Sequence, residues 1–399
     1  MRTARGGVWL TILLTLAAAC SSSSPSPSST APPTTASSAP PPTTAAPPPP
    51  IWRALPKAPI VGRIDADAVW TGDEVIVWGG VARSRNIEPV GDGAAYDPAQ
   101  DSWRAIEPAP SGVLGGGGEG AAWTGAVAVF WAGNSPDGPA GGGVYDPATD
   151  TWERLPDGPL GPREGYVSVW TGTELLIIAG TLGDGFASPV AAAVDPVARS
   201  WRLLPGINGF PGLIASGAVW DGHDVFVAGT LYLCPELSSG CTDTRSIFLA
   251  YDLAADRVHE VDLTDAPMGA SSTPVGWDGS EVLFALSDEG SVGIALFDPA
   301  TERWRTGSDA PCEFDPAGYG QTAWLGDRYV VPCGKDRLQI YDAGSDSWEV
   351  IVARTSSFNS REGSAIAWTG TDLVVWSGVV DRTGNPTPNS GSVIRLGPA

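Results

Sequence analysis

Histidine and lysine are scarce in this chain of 399 residues, which contains two of each. No Cys-x-x-Cys pair accompanies the two histidines, His223 and His259, so the sequence offers no ligand cluster typical of a zinc or copper centre. It also lacks a glycine-rich phosphate loop and a nucleophile-and-base motif. We therefore expect no metal ion and no cofactor.

Basic residues are few overall, with 23 Lys and Arg against 45 Asp and Glu, a formal net charge of −22. Removing residues 1–19, which carry Arg2 and Arg5 and no acid, changes −22 to −24. A surface this acidic repels a phosphate backbone, so we expect no nucleic-acid partner.

The apolar run from Val8 to Ala19 is too short to span a bilayer comfortably. It follows a basic start and ends in small residues, which predicts an export signal over residues 1–19. Cys20 comes next, in a context that resembles a bacterial lipoprotein box, with Ala17 in place of the usual Leu. We expect lipidation at Cys20; an ordinary signal peptide cleaved near Ala19 is the alternative.

After Cys20, residues 21–50 contain only Ser, Thr, Pro and Ala. Such a segment has no large apolar side chain to offset the entropy of ordering, so residues 20–50 are interpreted as a disordered tether. The folded domain is expected over residues 51–399.

A repeat of roughly fifty residues begins at residue 51. Its first half is an apolar stretch ending in Trp, a turn that contains Gly, and a second apolar stretch. Seven copies of this Trp-x-Gly turn begin at Trp70, Trp123, Trp170, Trp220, Trp277, Trp324 and Trp368.

The second half of the repeat is an aromatic-Asp-Pro turn with a Trp seven positions after the aromatic residue, as in Tyr96-Asp97-Pro98 and Trp103. Two copies are degenerate, because Val194 replaces the aromatic residue in one and Val258 replaces the Trp in another. Each unit therefore offers four strands joined by tight turns.

These units, with the Gly79-Gly80 pair that follows the second strand, resemble the kelch repeat. The resemblance implies an all-β fold, a seven-bladed β-propeller of four-stranded blades like the central domain of galactose oxidase. Residues 51–56 have the form of an outer fourth strand, and the last repeat ends after its third strand. We therefore expect the N-terminal strand to complete the last blade.

In kelch-like blades the first strand lines the central channel, and the loops that enter it share one face with the second-to-third connections. Related proteins carry their function on that face, which we call the upper face. Charged residues precede the first strand at Arg63, Glu119, Arg163, Glu164, Arg361 and Glu362. They could ring the channel mouth and bind a glycan or a carboxylate. The alternative is that they form ion pairs with one another and hold adjacent blades together.

The resemblance includes two enzymes, galactose oxidase and a sialic acid mutarotase. Copper oxidase chemistry is excluded because two histidines must converge, whereas His223 lies in a Trp-x-Gly turn and His259 on an outer strand. A metal-free mutarotase needs only acid and base side chains, for which Glu119, Glu164 and Glu362 are the weak candidates.

Most of the seventeen tryptophans are expected to pack blade against blade, with Trp78, Trp131 and Trp376 nearest the upper face. Asp-Gly turns at residues 91–93 and 183–185 do not match an EF-hand spacing and are interpreted as ordinary turns.

Four cysteines follow Cys20, which in an exported chain predicts two disulfides. Cys234 and Cys241 lie in one connection of blade 4, and Cys312 and Cys333 lie on one face of blade 6. Any other pairing would exceed the separation of about 6 Å between Cα atoms that a disulfide needs. We therefore predict the linkages Cys234–Cys241 and Cys312–Cys333.

These observations predict a monomeric lipoprotein on the extracellular face of a bacterial cell membrane, anchored through Cys20. It would bind a protein or glycan ligand through loops on the upper face. A metal-free carbohydrate-active enzyme, such as a sugar mutarotase or epimerase, is the less favoured interpretation, because no convergent acid and base are evident.

Overall fold

The computed structural model describes residues 51–83, 87–113, 115, 120–133, 141–182, 187–234, 242–267, 271–288, 291–312, 322–333, 337–352, 363–378 and 388–397. Residues 1–50, with the expected export signal, Cys20 and tether, lie outside this set. Within it, the chain forms strands and one turn of 3-10 helix, at Ile207–Gly209. No helix in these ranges is long and apolar enough to cross a membrane.

The first four sheets, in chain order, contain these strands. The N-terminal strand is β1 (Ile51–Ala54). Blade 1 is β2 (Asp67–Trp70), β3 (Val75–Trp78), β6 (Gly93–Asp97) and β7 (Ser102–Ala105), with a side hairpin of β4 (Val81–Arg83) and β5 (Ile87–Pro89). Blade 2 is β8 (Ala121–Trp123), β9 (Ala128–Ala132), β10 (Gly141–Asp146) and β11 (Thr151–Arg154). Blade 3 is β12 (Val167–Trp170), β13 (Leu175–Ile178), β14 (Ala192–Asp195) and β15 (Ser200–Leu203). Blade 4 is β16 (Leu213–Trp220), β17 (Asp224–Tyr232), β18 (Thr244–Asp252) and β19 (Arg257–Glu260).

The remaining sheets continue the pattern. Blade 5 is β20 (Ser271–Trp277), β21 (Val282–Asp288), β22 (Ser291–Asp298) and β23 (Arg303–Thr306). Blade 6 is β24 (Ala323–Trp324), β25 (Arg328–Pro332), β26 (Arg337–Asp342) and β27 (Ser347–Val352). Blade 7 is β28 (Ala365–Trp368), β29 (Asp372–Trp376) and β30 (Gly391–Arg395), completed by β1. The described residues therefore form the predicted seven blades of four antiparallel strands.

The order of burial across a blade explains the composition of its strands. The second strand is covered on both faces by neighbouring blades, and all four residues of β3 and of β13 are buried. The outer strand borders solvent. In β11 and β15 the Trp is partly buried and the other three residues are exposed. Continuous apolar runs thus mark inner strands, whereas polar residues mark outer strands.

The hydrophobic core lies between the blades. The described residues form seven apolar clusters, and each joins one blade to the next around the ring. The cluster of blades 7 and 1, for example, packs Trp376 and Val393 against Val77 and Tyr96. A single sheet could not bury both faces alone, so the ring is the structure that satisfies this sequence.

Ring closure depends on the N-terminal strand, as the sequence predicted. Strand β1 pairs antiparallel with β30, in a register that sets Trp52 opposite Ile394 and Arg53 opposite Val393. The closure joins the two ends of the domain and gives blade 7 its fourth, outer strand.

Two polar contacts repeat around the ring, one within a blade and one between neighbouring blades. The buried Tyr of the aromatic-Asp-Pro turn donates its hydroxyl to an Asp five residues later, which has a left-handed backbone. This bond is 2.6 to 2.7 Å long in Tyr96–Asp101, Tyr145–Asp150, Tyr251–Asp256 and Tyr341–Asp346. The outer Trp in turn donates its indole N–H to a carbonyl of the preceding blade, as from Trp152 to Glu107 at 2.6 Å. The Trp of the second half-repeat is therefore a structural residue.

Three of the described cysteines are in disulfides. Cys312 and Cys333 are bonded, with 5.7 Å between their Cα atoms, so the loop entering blade 6 is joined to the end of β25. Cys234 is also in a disulfide, and Cys241 lies outside the described residues.

Candidate functional site

Arg63 lies at the upper face just before β2, but its side chain points into the protein and is fully buried. Its Nη1 donates to the carbonyl oxygens of Gly79, at 3.0 Å, and Asp92, at 3.2 Å, and to the Asp92 carboxylate at 2.8 Å. The guanidinium carbon also lies 5.9 Å from the ring centroid of Trp376 in blade 7. This arginine therefore joins the loop entering β2 to both ends of the β3–β6 connection.

Arg163 makes the equivalent contacts in blade 3, where it is 3% exposed. Its Nη1 donates to the carbonyl oxygens of Ala179, at 2.9 Å, and Val190, at 2.7 Å, and its Nε donates to Gly161 at 3.2 Å. No carboxylate of a described residue bonds this guanidinium, and burial lowers the pKa of Arg163. Backbone carbonyl dipoles thus stabilise a buried charge here.

The backbone explains why arginine is needed at these positions. Two successive left-handed residues follow the second strand in both blades, at Gly79-Gly80 and Ala179-Gly180. This turn directs the carbonyl of its first residue into the blade, where only a buried donor can satisfy it. Gly80 itself cannot carry a side chain, because a Cβ would lie 2.6 Å from the carbonyl oxygen of Ile64. We call each such arginine with its carbonyls an arginine clamp.

Arg63 and Arg163 were predicted to bind a ligand, and the structure shows both side chains buried. Their donor groups are buried against backbone oxygens, so neither guanidinium presents its N–H groups to a ligand in solvent. The alternative reading, that these residues join structural elements, describes their contacts, although their partners are mainly carbonyl groups and not the neighbouring glutamates.

Glu164 is the described candidate that faces solvent. Its backbone bridges to Thr181 through two hydrogen bonds of 2.9 and 2.7 Å, which hold the residue at the root of the β13–β14 connection. No described side chain bonds its carboxylate. The other candidates, Glu119, Arg361 and Glu362, lie outside the described residues, so no converging set of charges can be assigned.

Two further expectations about the upper face concern three tryptophans and an Asp-Gly turn. Trp78, Trp131 and Trp376 were expected near that surface, but they are at most 2% exposed and belong to the interblade clusters. Strand alternation turns these side chains toward the neighbouring blade. The carboxylate of Asp92, in the first Asp-Gly turn, forms an ion pair with Nη1 of Arg63 at 2.8 Å.

Sequence reasoning missed a cleft on the opposite face, between blades 4 and 5. It encloses about 430 Å³ and is lined by Asp224, Asp252, His259 and Glu302 among others. His223 lies beside it in the β16–β17 turn, with its Nδ1 2.8 Å from Oδ1 of Asp224. The signal available in the sequence was the degenerate copy of the repeat, which has Val258 and His259 where blades 1, 3 and 5 have Trp and Arg.

No protein-family model matches the chain, and no curated protein is significantly similar to it. The functional argument therefore depends on the fold and on the contacts described above.

Proposed function

We propose that the chain is a kelch-like binding protein that recognises a glycan or a protein through the loops of its upper face. The observation that carries this proposal is the anchoring of loop roots. Arginine clamps hold the second-to-third connections of blades 1 and 3, and the Cys312–Cys333 disulfide holds that of blade 6. Rigid roots lower the entropy cost of binding by the loops they carry.

Among the described residues of this face, the exposed charge favours a neutral or cationic ligand over an anionic one. The guanidinium groups of Arg63 and Arg163 are consumed by internal bonds, whereas the carboxylate of Glu164 faces solvent. The overall charge of −22 adds a repulsive field for anions. Among small ligands, a glycan with hydroxyl donors fits an exposed carboxylate better than an organic acid does.

The metal-free mutarotase or epimerase is less well supported. It would need an acid and a base on opposite sides of an anomeric carbon, and Glu164 alone lies within the described residues. We further propose that the domain is monomeric and is held at the extracellular face of a bacterial membrane by a lipid on Cys20, because the signal, the lipoprotein box and the tether occur in that order.

A glycan array probed with the chain lacking residues 1–19 tests the binding proposal. Hits should be measured again with Glu164→Gln and with Glu349→Gln, a matched change at an exposed carboxylate of the outer strand β27. We expect Glu164→Gln to weaken binding at least tenfold and Glu349→Gln to leave it unchanged. Equal binding by all three proteins would move the site away from the upper face, and failure of every glycan would contradict glycan recognition.

A further inference from the structure

Blade 4 departs from a charge pairing that alternate blades repeat. In blades 1, 3 and 5, the arginine that follows the outer Trp forms a two-pronged ion pair with a glutamate at the start of the second strand. The closest N–O distances are 2.6, 2.6 and 2.5 Å in Arg104–Glu74, Arg202–Glu174 and Arg305–Glu281. A guanidinium therefore neutralises each of these carboxylates.

His259 occupies the arginine position in blade 4, and Asp224 occupies the glutamate position. The shorter imidazole pairs with the next blade instead, where its Nε2 lies 3.3 Å from Oε1 of Glu302. Blades 1, 2, 4 and 6 have a tyrosine that bonds an Asp five residues later, and blade 5 has Phe297 at that position. This side chain therefore contributes no hydroxyl to the space between blades 4 and 5. The missing guanidinium and hydroxyl leave the cleft of about 430 Å³.

The carboxylate of Asp224 faces a different set of groups as a result. Asp252 lies directly opposite on β18, so the two acids share one face of the sheet. His223 approaches from the turn, and one ring nitrogen and one oxygen of each acid all lie within 4.8 Å of one another. The turn is held in place by Asp221, whose carboxylate accepts the backbone N–H groups of His223 at 2.7 Å and Asp224 at 2.6 Å.

We propose that His223, Asp224 and Asp252 bind a divalent transition ion of the Zn²⁺ class, with water in the remaining positions. Ligand atoms bound about 2.1 Å from one ion are about 3 to 4 Å apart, so the observed separations require only side-chain rotation. One imidazole with two carboxylates suits zinc, whereas calcium selects a larger, all-oxygen set. The ion supplies the positive charge that arginine supplies in blades 1, 3 and 5.

Neighbouring groups leave this site accessible. Oδ1 of Asp252 accepts the N–H of Ala255 at 2.8 Å, a bond that orients the carboxylate without consuming its second oxygen. Arg257 lies 3.6 Å from that second oxygen, but its side chain is 79% exposed and free to move away. The imidazole of His223 is 72% exposed, so an ion can reach it from solvent.

Calorimetric titration of the metal-free chain with ZnCl₂, and separately with CaCl₂, tests this site. We expect one Zn²⁺ per chain and no saturable binding of Ca²⁺. His223→Asn should weaken Zn²⁺ binding at least tenfold. His259→Gln removes the imidazole that lines the neighbouring cleft and should leave Zn²⁺ affinity within about twofold, because His259 is held by Glu302 and lies outside the ligand set.

Three outcomes would overturn the assignment. They are absence of saturable Zn²⁺ binding, unchanged affinity in His223→Asn, and equal losses in the two histidine variants. Visible absorption of the Co²⁺-loaded chain gives a second readout, since its ligand-field bands should disappear in His223→Asn and persist in His259→Gln. Both histidines are exposed, so neither change should prevent folding.

Discussion

Arg163 provides the sharpest test of whether the charged residues at the upper face are structural. Replacing it with methionine keeps the apolar stem of the side chain but removes donors to Ala179, Val190 and Gly161. Ala179 is fully buried, so its carbonyl has no access to water once the guanidinium is gone. The carbonyl of Ala179 loses the Arg163 donor that the described residues provide for it.

The expected loss of stability follows from these three acceptors. A buried carbonyl left without a partner costs about 1 to 3 kcal/mol, and the carbonyls of Val190 and Gly161, which lie nearer the surface, cost less because water replaces the donor. Burial lowers the pKa of Arg163, so part of the loss is offset by no longer burying a charge. We expect the free energy of unfolding to fall by about 2 to 4 kcal/mol.

Urea unfolding followed by tryptophan fluorescence measures this change, because the interblade tryptophans become exposed when the ring opens. Glu164→Gln is the matched control, and as an exposed change it should alter stability by less than about 0.5 kcal/mol. If Arg163→Met were as stable as the wild type, the arginine clamp would not contribute to folding. Loss of ligand binding at unchanged stability would instead indicate that Arg163 belongs to the ligand site.

Three further predictions concern the anchor, a turn and the response to acid. Cys20→Ser should release the protein from the membrane fraction, and unchanged detergent partitioning would refute the lipid anchor. Gly80→Ala should cost more than about 2 kcal/mol, whereas Gly72→Ala, also at positive φ but with open space around its Cβ, should cost about 1 kcal/mol; equal losses would exclude the clash as the cause. The backbone N–H of Glu107 holds the pKa of Asp150 below its usual range, so its stabilisation is present above about pH 4 and declines below it, and Asp150→Asn should flatten that decline in acid unfolding curves.

The blades could be predicted from sequence because their signals are local and recur. A Trp-x-Gly turn needs a left-handed glycine within a few residues, and Gly72 has φ of 104° as that turn requires. The closing strand could also be predicted, because residues 51–56 have the pattern of an outer strand and the last blade lacks one. Pairing of β1 with β30 confirms that inference.

The direction of the arginine side chains could not be predicted. It depends on the pair of left-handed residues at the end of the second strand, and in blade 3 the first of these is Ala179, with φ of 60°. Alanine rarely adopts this conformation, so nothing in the sequence marks the inward-facing carbonyl that draws Arg163 into the blade. An arginine beside a glutamate therefore has the pattern of a surface pair although only Glu164 is exposed.

Repetition itself separates structural residues from candidates for function. The interface between blades must be built seven times, so groups that serve it recur, as the outer Trp does when its indole N–H donates to a carbonyl of the preceding blade. A group that serves one ligand has no reason to recur. Within the described blades, only blade 4 places a histidine beside a carboxylate at the start of its second strand, and only there does the outer strand also carry a histidine. The polar groups of that cleft are therefore explained by a ligand of blade 4 better than by the requirements of the ring.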